Sequence, residues 1–389
     1  MDVDAPNDRD AEPEGGSRDV LTWLARTGRT AAHVGAWLDD PPPSLPPHLA
    51  WDRIEGMLLG LAIGDALGNR AEGMTPASRR GTHGTIREYL THHRADGRSV
   101  GLPSDDSQMA FWTLEQLLAD GRLVPDRLAV RFSREHIFGI GNTVRGFLRA
   151  FDGGKRPWYE CTQPSAGNGA LMRIAPVLVP YVRAPSPDLW ADAAVAGLIT
   201  HNDPASIGAC VGYVRALWGA LALAGPPQRG WWVESVCGVM GMIEDETRYT
   251  PRVPHLSYEG PMWRFVSEQV GGALADDLPA DEACNRWYSG AYLMETLPSV
   301  LYILERHAGD PEEAIVRAVN DTWDNDTVGA IVGAAVGALH GASALPRRWV
   351  DGLLGRTGED DDGQVFRLIE GARRRWWDGE RATGADGGG

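Results

Sequence analysis

Apolar residues recur along most of the chain at three- and four-residue intervals, which is the spacing of helices that bury one face. Alternating β-branched runs bounded by hairpin turns, the usual signal of strands, are scarce. The pattern predicts an all-α bundle with helices over residues 51–67, 107–119, 125–135, 143–150, 187–199, 206–224, 233–243, 261–275, 291–305, 311–319, 328–341 and 363–377.

Two of these predicted helices carry a glycine at every fourth position. Residues four apart share one face of a helix, and glycine inside a helix costs roughly 1 kcal/mol relative to alanine. Close approach of another backbone is the simplest reason for such a face. We therefore expect the two faces to pack near each other in the core: Gly56, Gly60, Gly64 and Gly68 on the first helix, and Gly329, Gly333, Gly337 and Gly341 on the second.

The composition changes at both ends of the helical region. Residues 1–50 form an acidic, proline-rich extension that we expect to be partly disordered, with a short amphipathic helix within 19–38 and a stiff linker over 39–47. Residues 51–380 are interpreted as one continuous helical domain, long enough for a large core. The glycine-rich residues 381–389 are expected to be a flexible tail.

The formal net charge of -16 leaves no broad basic surface. We therefore expect no binding to duplex nucleic acid or to an anionic membrane. The run 328–345 approaches the length of a membrane span, but it is mostly glycine and alanine and contains His340, so we interpret it as a buried helix. Four widely separated cysteines match neither a disulfide framework nor a zinc site, and they suggest reduced thiols in a cytoplasmic protein: Cys161, Cys210, Cys237 and Cys284.

Two short acidic turns stand directly before predicted helices. Their polar residues are Ser104, Asp105 and Asp106 in the first, and Asp324, Asp326 and Thr327 in the second. One interpretation is that they cap helix N-termini, where short polar and acidic side chains accept backbone N–H bonds. The other is a metal site, since carboxylate and hydroxyl oxygens without histidine or cysteine suit magnesium or manganese. If the turns converge, they could hold two ions that share ligands.

Three further segments carry residues suited to a ligand site. Glu72 is expected on a loop just past the end of the helix that bears Asp65. Residues 167–173 form a glycine-flanked turn whose backbone amides could bind phosphate oxygens, although most glycine turns have no such role. A single histidine such as His201 is more often structural than functional when taken alone.

Taken together and in this order, the motifs resemble those of the ADP-ribosylglycohydrolase family over residues 51–345. The first metal motif has serine where the family usually has threonine. No single motif is specific, but six in register make the resemblance strong. The similar segments are 64–72 (opening motif), 104–109 and 324–330 (metal motifs), and 139–143, 167–173 and 200–201 (ligand loops).

The resemblance implies a fold and a set of site residues. The fold is an orthogonal all-α bundle with a cleft that holds two Mg²⁺ or Mn²⁺ ions, and either Glu72 or Asp105 transfers a proton at the scissile bond. The implied metal ligands are Ser104, Asp105, Asp106, Asp324, Asp326 and Thr327. The implied substrate contacts are Gly139, Gly141, Asn142, Gly167, Asn168, Gly169, Ala170, His201 and Tyr292.

The sequence departs from the family pattern just before the closing motif. Asp321-Thr322-Trp323 stands where the family usually has Leu-Gly-Gly. Trp323 could therefore narrow the cleft or contact the substrate, and Asp321 could support a metal ligand or cap the turn. The alternative is a harmless loop substitution.

The implied function is metal-dependent hydrolysis of the glycosidic bond between ADP-ribose and an acceptor, with release of ADP-ribose. The acceptor could be a protein side chain such as arginine or serine, a modified base or a small molecule. Such a reaction passes through an oxocarbenium-like transition state. The alternative is a catalytically weak or inactive relative that binds ADP-ribose and acts through a partner. Oxygen donors at all six implied metal-ligand positions favour the hydrolase.

Overall fold

The regular secondary structure of the described residues is almost entirely helical. The computed structural model describes residue 13 and residues 15–379. The α-helices are α1 (Ser17–Arg26), α2 (Trp51–Asn69), α3 (Pro76–His83), α4 (Asp105–Asp120), α5 (Pro125–Ser133), α6 (Asn142–Phe151), α7 (Asp188–Leu198), α8 (Pro204–Ala222), α9 (Trp231–Ile243), α10 (Met262–Ala275), α11 (Ala280–Arg286), α12 (Leu293–His307), α13 (Pro311–Asp321), α14 (Asn325–His340), α15 (Arg347–Gly352) and α16 (Gln364–Ala372). Two short strands, β1 (Thr91–His92) and β2 (Arg98–Ser99), pair antiparallel. The all-α prediction is confirmed.

α2 and α14 lie antiparallel with their glycine faces in direct contact. A Cβ atom built on Gly60 would lie 2.1 Å from the Gly333 carbonyl oxygen, so neither position has room for a side chain. At one end of the pair, a Cβ atom on Gly68 would lie 2.4 Å from the Asp326 Cα atom. The predicted packing of the two faces is confirmed, and it brings the acid-bearing ends of the two helices together.

The helix predicted within residues 19–38 is only partly correct. α1 ends at Arg26, because Gly28 adopts a left-handed conformation with φ of +66°. The Arg29 amide then donates back to the Leu24 carbonyl at 2.8 Å, a common way to close a helix. A separate 3-10 turn, Ala36–Leu38, follows.

Residues 36–47 lie against the helical body. The indole N–H of Trp190 on α7 donates to the Asp40 carbonyl at 2.7 Å, and that of Trp218 on α8 donates to the Pro43 carbonyl at 2.8 Å. The stretch predicted as a linker is therefore a docked segment. Residues 1–12 and 14 of the extension that was predicted to be partly disordered lie outside the described residues, as does the whole predicted tail 381–389.

Three short helices escaped the sequence pattern. α3, α11 and α15 have 8, 7 and 6 residues, shorter than the window of about 11 residues over which apolar periodicity can be recognised. The remaining predicted boundaries agree to within about three residues, except that α16 ends at Ala372 and the last five residues of the predicted helix 363–377 form a π-helical turn, Arg373–Trp377. α8 is long and apolar enough to cross a membrane by composition, but 83% of that stretch is buried inside the protein, as in a core helix.

Candidate active site

A cleft of about 370 Å³ opens at the N-terminal ends of α4 and α14. Its floor is acidic, and its walls come from the loops around residues 139–144, 165–169 and 291–292. The lining residues are Glu72, Asp105, Asp106, Gly139, Gly141, Asn142, Thr143, Val144, Ser165, Ala166, Gly167, Asn168, Gly169, Met172, His201, Arg252, Ala291, Tyr292, Asp324, Asp326 and Thr327.

Beneath the cleft, three carboxylates from three helices come together. Asp65 lies on α2, Asp106 on α4 and Asp326 on α14, and one carboxylate oxygen of each lies within 4.8 Å of the other two. All three residues are buried. Buried negative charges at this separation repel one another strongly unless a cation lies between them.

Ser104 and Asp65 together cap the N-terminus of α4. The Ser104 hydroxyl accepts the Asp106 amide at 3.3 Å and donates to the Asp65 carboxylate at 2.7 Å. The Asp65 carboxylate also accepts the amides of Ser104 and Ser107, each at 3.0 Å. The capping interpretation therefore holds for Ser104, while the carboxylate that completes the cap comes from α2.

The second acidic turn is held in the cleft by Asn168. The Asn168 amide group donates to the Asp324 carboxylate, and it donates to the Thr296 hydroxyl at 2.9 Å. No side-chain hydrogen bond caps α14, whose N-cap residue is Asp324. Both acidic turns therefore reach one cleft, and the expected convergence is observed.

Enclosure and mutual repulsion raise the pKa values of these acids. Enclosure in the cleft, reinforced by two neighbouring aspartates, raises the pKa of Glu72 to about 7. The same causes raise the pKa of Asp105 to about 8. Burial raises the pKa values of Asp106 and Asp326 well above the usual aspartate range, and adjacent carboxylates add to this effect. A bound cation would favour the ionised forms and oppose these shifts.

The donor set at the cleft floor fits a hard divalent cation. The Asp106 Oδ1 atom is buried and has no hydrogen-bond partner, which is the kind of orphaned acceptor that a metal ion satisfies. The clustered ligand atoms of Asp65, Asp106 and Asp326 are all carboxylate oxygens. Such a set suits magnesium or manganese rather than zinc or copper.

One wall of the cleft is the glycine turn of residues 167–169, which packs against the ring of His201. A Cβ atom on Gly169 would lie 2.9 Å from the His201 ring, and one on Gly167 would lie 3.3 Å from it. The His201 Nδ1 atom lies 2.8 Å from the Thr200 hydroxyl. Burial lowers the pKa of His201 to about 3, so the ring carries no charge near neutral pH.

Gly139 has no side chain, so only its backbone lies beside the carboxyl groups of Asp105 and Glu72. Its φ of +73° favours glycine, and a Cβ atom there would lie 3.3 Å from Asp105 Oδ1 and 3.6 Å from Glu72 Oε2. The space next to these two carboxyl groups is therefore not filled by a side chain from position 139.

Comparison with known proteins identifies the family to which this chain belongs. The family model for ADP-ribosylglycohydrolase matches residues 46–377. The chain belongs to the ADP-ribosylglycohydrolase family. The resemblance inferred from the sequence motifs is confirmed.

Individual relatives in the ADP-ribosylglycohydrolase family agree with this assignment. ADP-ribosylarginine hydrolase Tri1 of Serratia proteamaculans is 26% identical, over 85% of this chain and 83% of its own length. A Rhodospirillum rubrum glycohydrolase named for ADP-ribosyl-dinitrogen reductase is 26% identical, over 82% of this chain and 96% of its own. A solved structure titled ADP-ribosylglycohydrolase-related protein complex superposes with a TM-score of 0.60 at 27% identity, covering 83% of this chain and 98% of that chain.

Most residues that the family resemblance implied as ligands line the cleft, and three predicted residues do not. Ser104 is buried beneath the floor as a helix cap, and Ala170 is buried behind the glycine turn. Trp323 packs outside the cleft lining, with its ring centroid 4.7 Å from that of Tyr288. The contact with the substrate predicted for Trp323 stays a prediction.

Asp321 takes part in an ion-pair network. Its carboxylate lies 3.1 Å from Arg80 and 3.1 Å from Arg317, and its side chain is almost fully buried. The neighbouring Arg79 guanidinium donates to the carbonyls of Val319 at 2.8 Å and Thr322 at 2.9 Å. These contacts fix the loop that leads into the second acidic turn.

The sequence analysis did not identify two charged residues of the site. Asp65 belonged to the opening motif, but nothing in its local pattern showed that its carboxylate would meet Asp106 and Asp326. Arg252 lines the cleft from a loop between α9 and α10. That loop has no periodic pattern and no motif, so the sequence offered no signal for its position.

Proposed function

We propose that this protein is a metal-dependent hydrolase that cleaves the glycosidic bond between ADP-ribose and an acceptor side chain. The observation that carries the proposal is the convergence of two acidic turns, with Asp65, beneath one cleft. Family membership supports ADP-ribosyl hydrolysis in general. The likeness to Tri1, which is named as an ADP-ribosylarginine hydrolase, favours arginine as the acceptor.

The cleft floor would hold the metal through Asp65, Asp106 and Asp326, with Asp105, Asp324 and Thr327 beside them. Magnesium or manganese, when bound there, supplies positive charge that orients oxygen ligands and makes water a stronger acid. The protein's own contribution is a set of buried carboxylates fixed on three helices, so that the ligand oxygens are positioned before the substrate arrives.

Proton transfer is assigned to Glu72 and Asp105. Both carboxyl groups line the cleft next to Gly139, and that residue has no side chain to cover them. Cleavage at the anomeric carbon requires a proton for the leaving group and a base for the attacking water. The amides of the 167–169 turn and the neutral His201 would bind the diphosphate and the distal ribose.

The test is a linkage panel with and without magnesium. ADP-ribosyl-arginine and ADP-ribosyl-serine peptides are incubated with the protein in EDTA or in magnesium, and free ADP-ribose is measured. We expect magnesium-dependent release from the arginine-linked peptide. Tight ADP-ribose binding without turnover of either linkage would instead favour a non-catalytic binding protein, and absence of both binding and turnover would reject the assignment.

A further inference from the structure

The cleft poses a charge problem for its proposed ligand. ADP-ribose carries a negatively charged diphosphate, while the lining includes five carboxyl groups: Glu72, Asp105, Asp106, Asp324 and Asp326. Among the described residues that line the cleft, Arg252 is the only lysine or arginine. His201, the one histidine of that lining, is neutral near pH 7.

Arg252 is held in place by a buried acid. Its Nε and Nη2 atoms donate to the two carboxylate oxygens of Glu295 at 2.8 and 2.6 Å. The Glu295 side chain is 2% exposed, whereas that of Arg252 is 59% exposed. The guanidinium carbon also lies 5.1 Å from the centroid of the Tyr292 ring. A bidentate pair on an aromatic platform restricts the guanidinium to one orientation.

The fixed guanidinium adjoins the glycine turn. Gly167 and Tyr292 form an isolated antiparallel β-bridge, and the backbone N–H of Asn168 donates to the Ala291 carbonyl at 3.1 Å. Tyr292, on which Arg252 stacks, is therefore tied to the same wall that exposes backbone amides. The Nη1 group of Arg252 takes part in neither bond to Glu295, so its N–H groups can serve a ligand.

We propose that Arg252 is a specificity-determining residue that contacts the diphosphate of the ligand, with Glu295 as its positioning residue. This inference rests on the proposed function, since it concerns the same cleft. An arginine that only neutralised Glu295 would need no exposure to the cleft. Glu295 occupies only one edge of the Arg252 guanidinium. The Arg252 side chain is largely exposed and lines the cleft.

The test compares Arg252→Gln with Arg252→Lys and with a control on the same loop. Arg248→Gln is the matched control, because Arg248 is exposed, pairs with Glu259 at 3.6 Å and does not line the cleft. The double variant Arg252→Gln/Glu295→Gln avoids leaving an unpaired buried carboxylate. For each protein, the Kd for ADP-ribose is measured in magnesium at several salt concentrations, and thermal unfolding verifies the fold.

We expect Arg252→Gln and the double variant to weaken ADP-ribose binding roughly 10- to 100-fold, the range of a lost charge-assisted hydrogen bond. Their affinity should also depend less on salt than that of the wild type, since one charge contact is gone. Arg252→Lys should retain part of the affinity, and Arg248→Gln all of it. In turnover assays the loss should appear mainly in KM.

Two results would overturn the inference. One is a folded double variant that binds ADP-ribose within about twofold of the wild type, well under the smallest expected loss. The other is a loss of affinity with an unchanged salt dependence, which would indicate a structural effect. A wild-type protein that fails to bind ADP-ribose at all would instead refute the proposed function.

Discussion

Asp106 shows how one residue can oppose stability while serving a site. Its carboxylate is buried, one oxygen has no hydrogen-bond partner, and burial with neighbouring aspartates raises its pKa well above the usual range. Nothing in folding alone favours such a group, because a buried unsatisfied acceptor costs free energy. A cation bound beside it would supply the missing positive charge and offset this cost.

Replacing Asp106 with asparagine separates these two effects. In EDTA, Asp106→Asn should unfold at the same temperature as the wild type or higher, because a repelled carboxyl group has been removed. Saturating magnesium should raise the unfolding temperature of the wild type by several degrees and that of the variant by much less. ADP-ribose release should fall roughly 100-fold or more. Asp326→Asn should behave in the same way.

Asp351→Asn serves as the control, because Asp351 is exposed, pairs with Arg347 and does not line the cleft. It should respond to magnesium as the wild type does. An Asp106→Asn variant that binds magnesium and hydrolyses substrate at the wild-type rate would refute the role assigned to the acidic cluster.

At the scale of the element, the contact between α2 and α14 determines where the acids lie. The four-residue glycine repeat was visible in the sequence, and so was the prediction that two such faces meet. The atomic consequence was not visible: Gly68 lies on Asp326, which places Asp65 near the N-terminus of α14. Register between two helices depends on tertiary packing, which no local pattern encodes.

Gly333→Ala should destabilise the protein although alanine favours helix. The added methyl group would lie 2.0 Å from the Gly60 carbonyl oxygen, so the helices must separate. We expect a loss of about 3 kcal/mol or more, at the upper end of overpacking effects, together with weaker magnesium binding. Chemical denaturation and magnesium titration measure the two effects.

Gly271→Ala is the matched control for the glycine contact. Gly271 lies on α10, and no atom lies within 4 Å of a Cβ atom built there. This variant should gain up to about 1 kcal/mol from helix propensity. Equal stability changes in the two variants would show that the α2–α14 contact tolerates a side chain.

At the scale of the whole molecule, the sequence predicted the class of fold better than its assembly. Apolar periodicity identified the long helices because each buries at least one face. The docking of residues 36–47 and the position of Arg252 depend on contacts between segments far apart in sequence. The acidic turns were identifiable because carboxylates cluster locally, whereas Asp65 and Arg252 join them only in three dimensions.

The described N-terminal segment should stabilise the whole protein. Trp23 on α1 is buried, and its ring centroid lies 4.9 Å from that of Tyr159. Trp23→Ala should cost about 3–5 kcal/mol, as expected for a buried tryptophan, measured by chemical denaturation. Met242→Ala, at a residue that is 42% exposed, should change stability by less than about 0.5 kcal/mol. Similar values for the two variants would mean that α1 is not part of the cooperative unit.

The side-by-side backbones of α2 and α14 also restrict how this protein can diversify. One residue inserted into either helix would turn everything beyond it by about 100°, which would misplace Asp65 or Asp326 and break the glycine contact at once. The loop that carries Arg252 lies between α9 and α10 and has no helical register to preserve. Changes of loop length and charge around the rim should therefore be tolerated more readily than changes in the lengths of the two central helices.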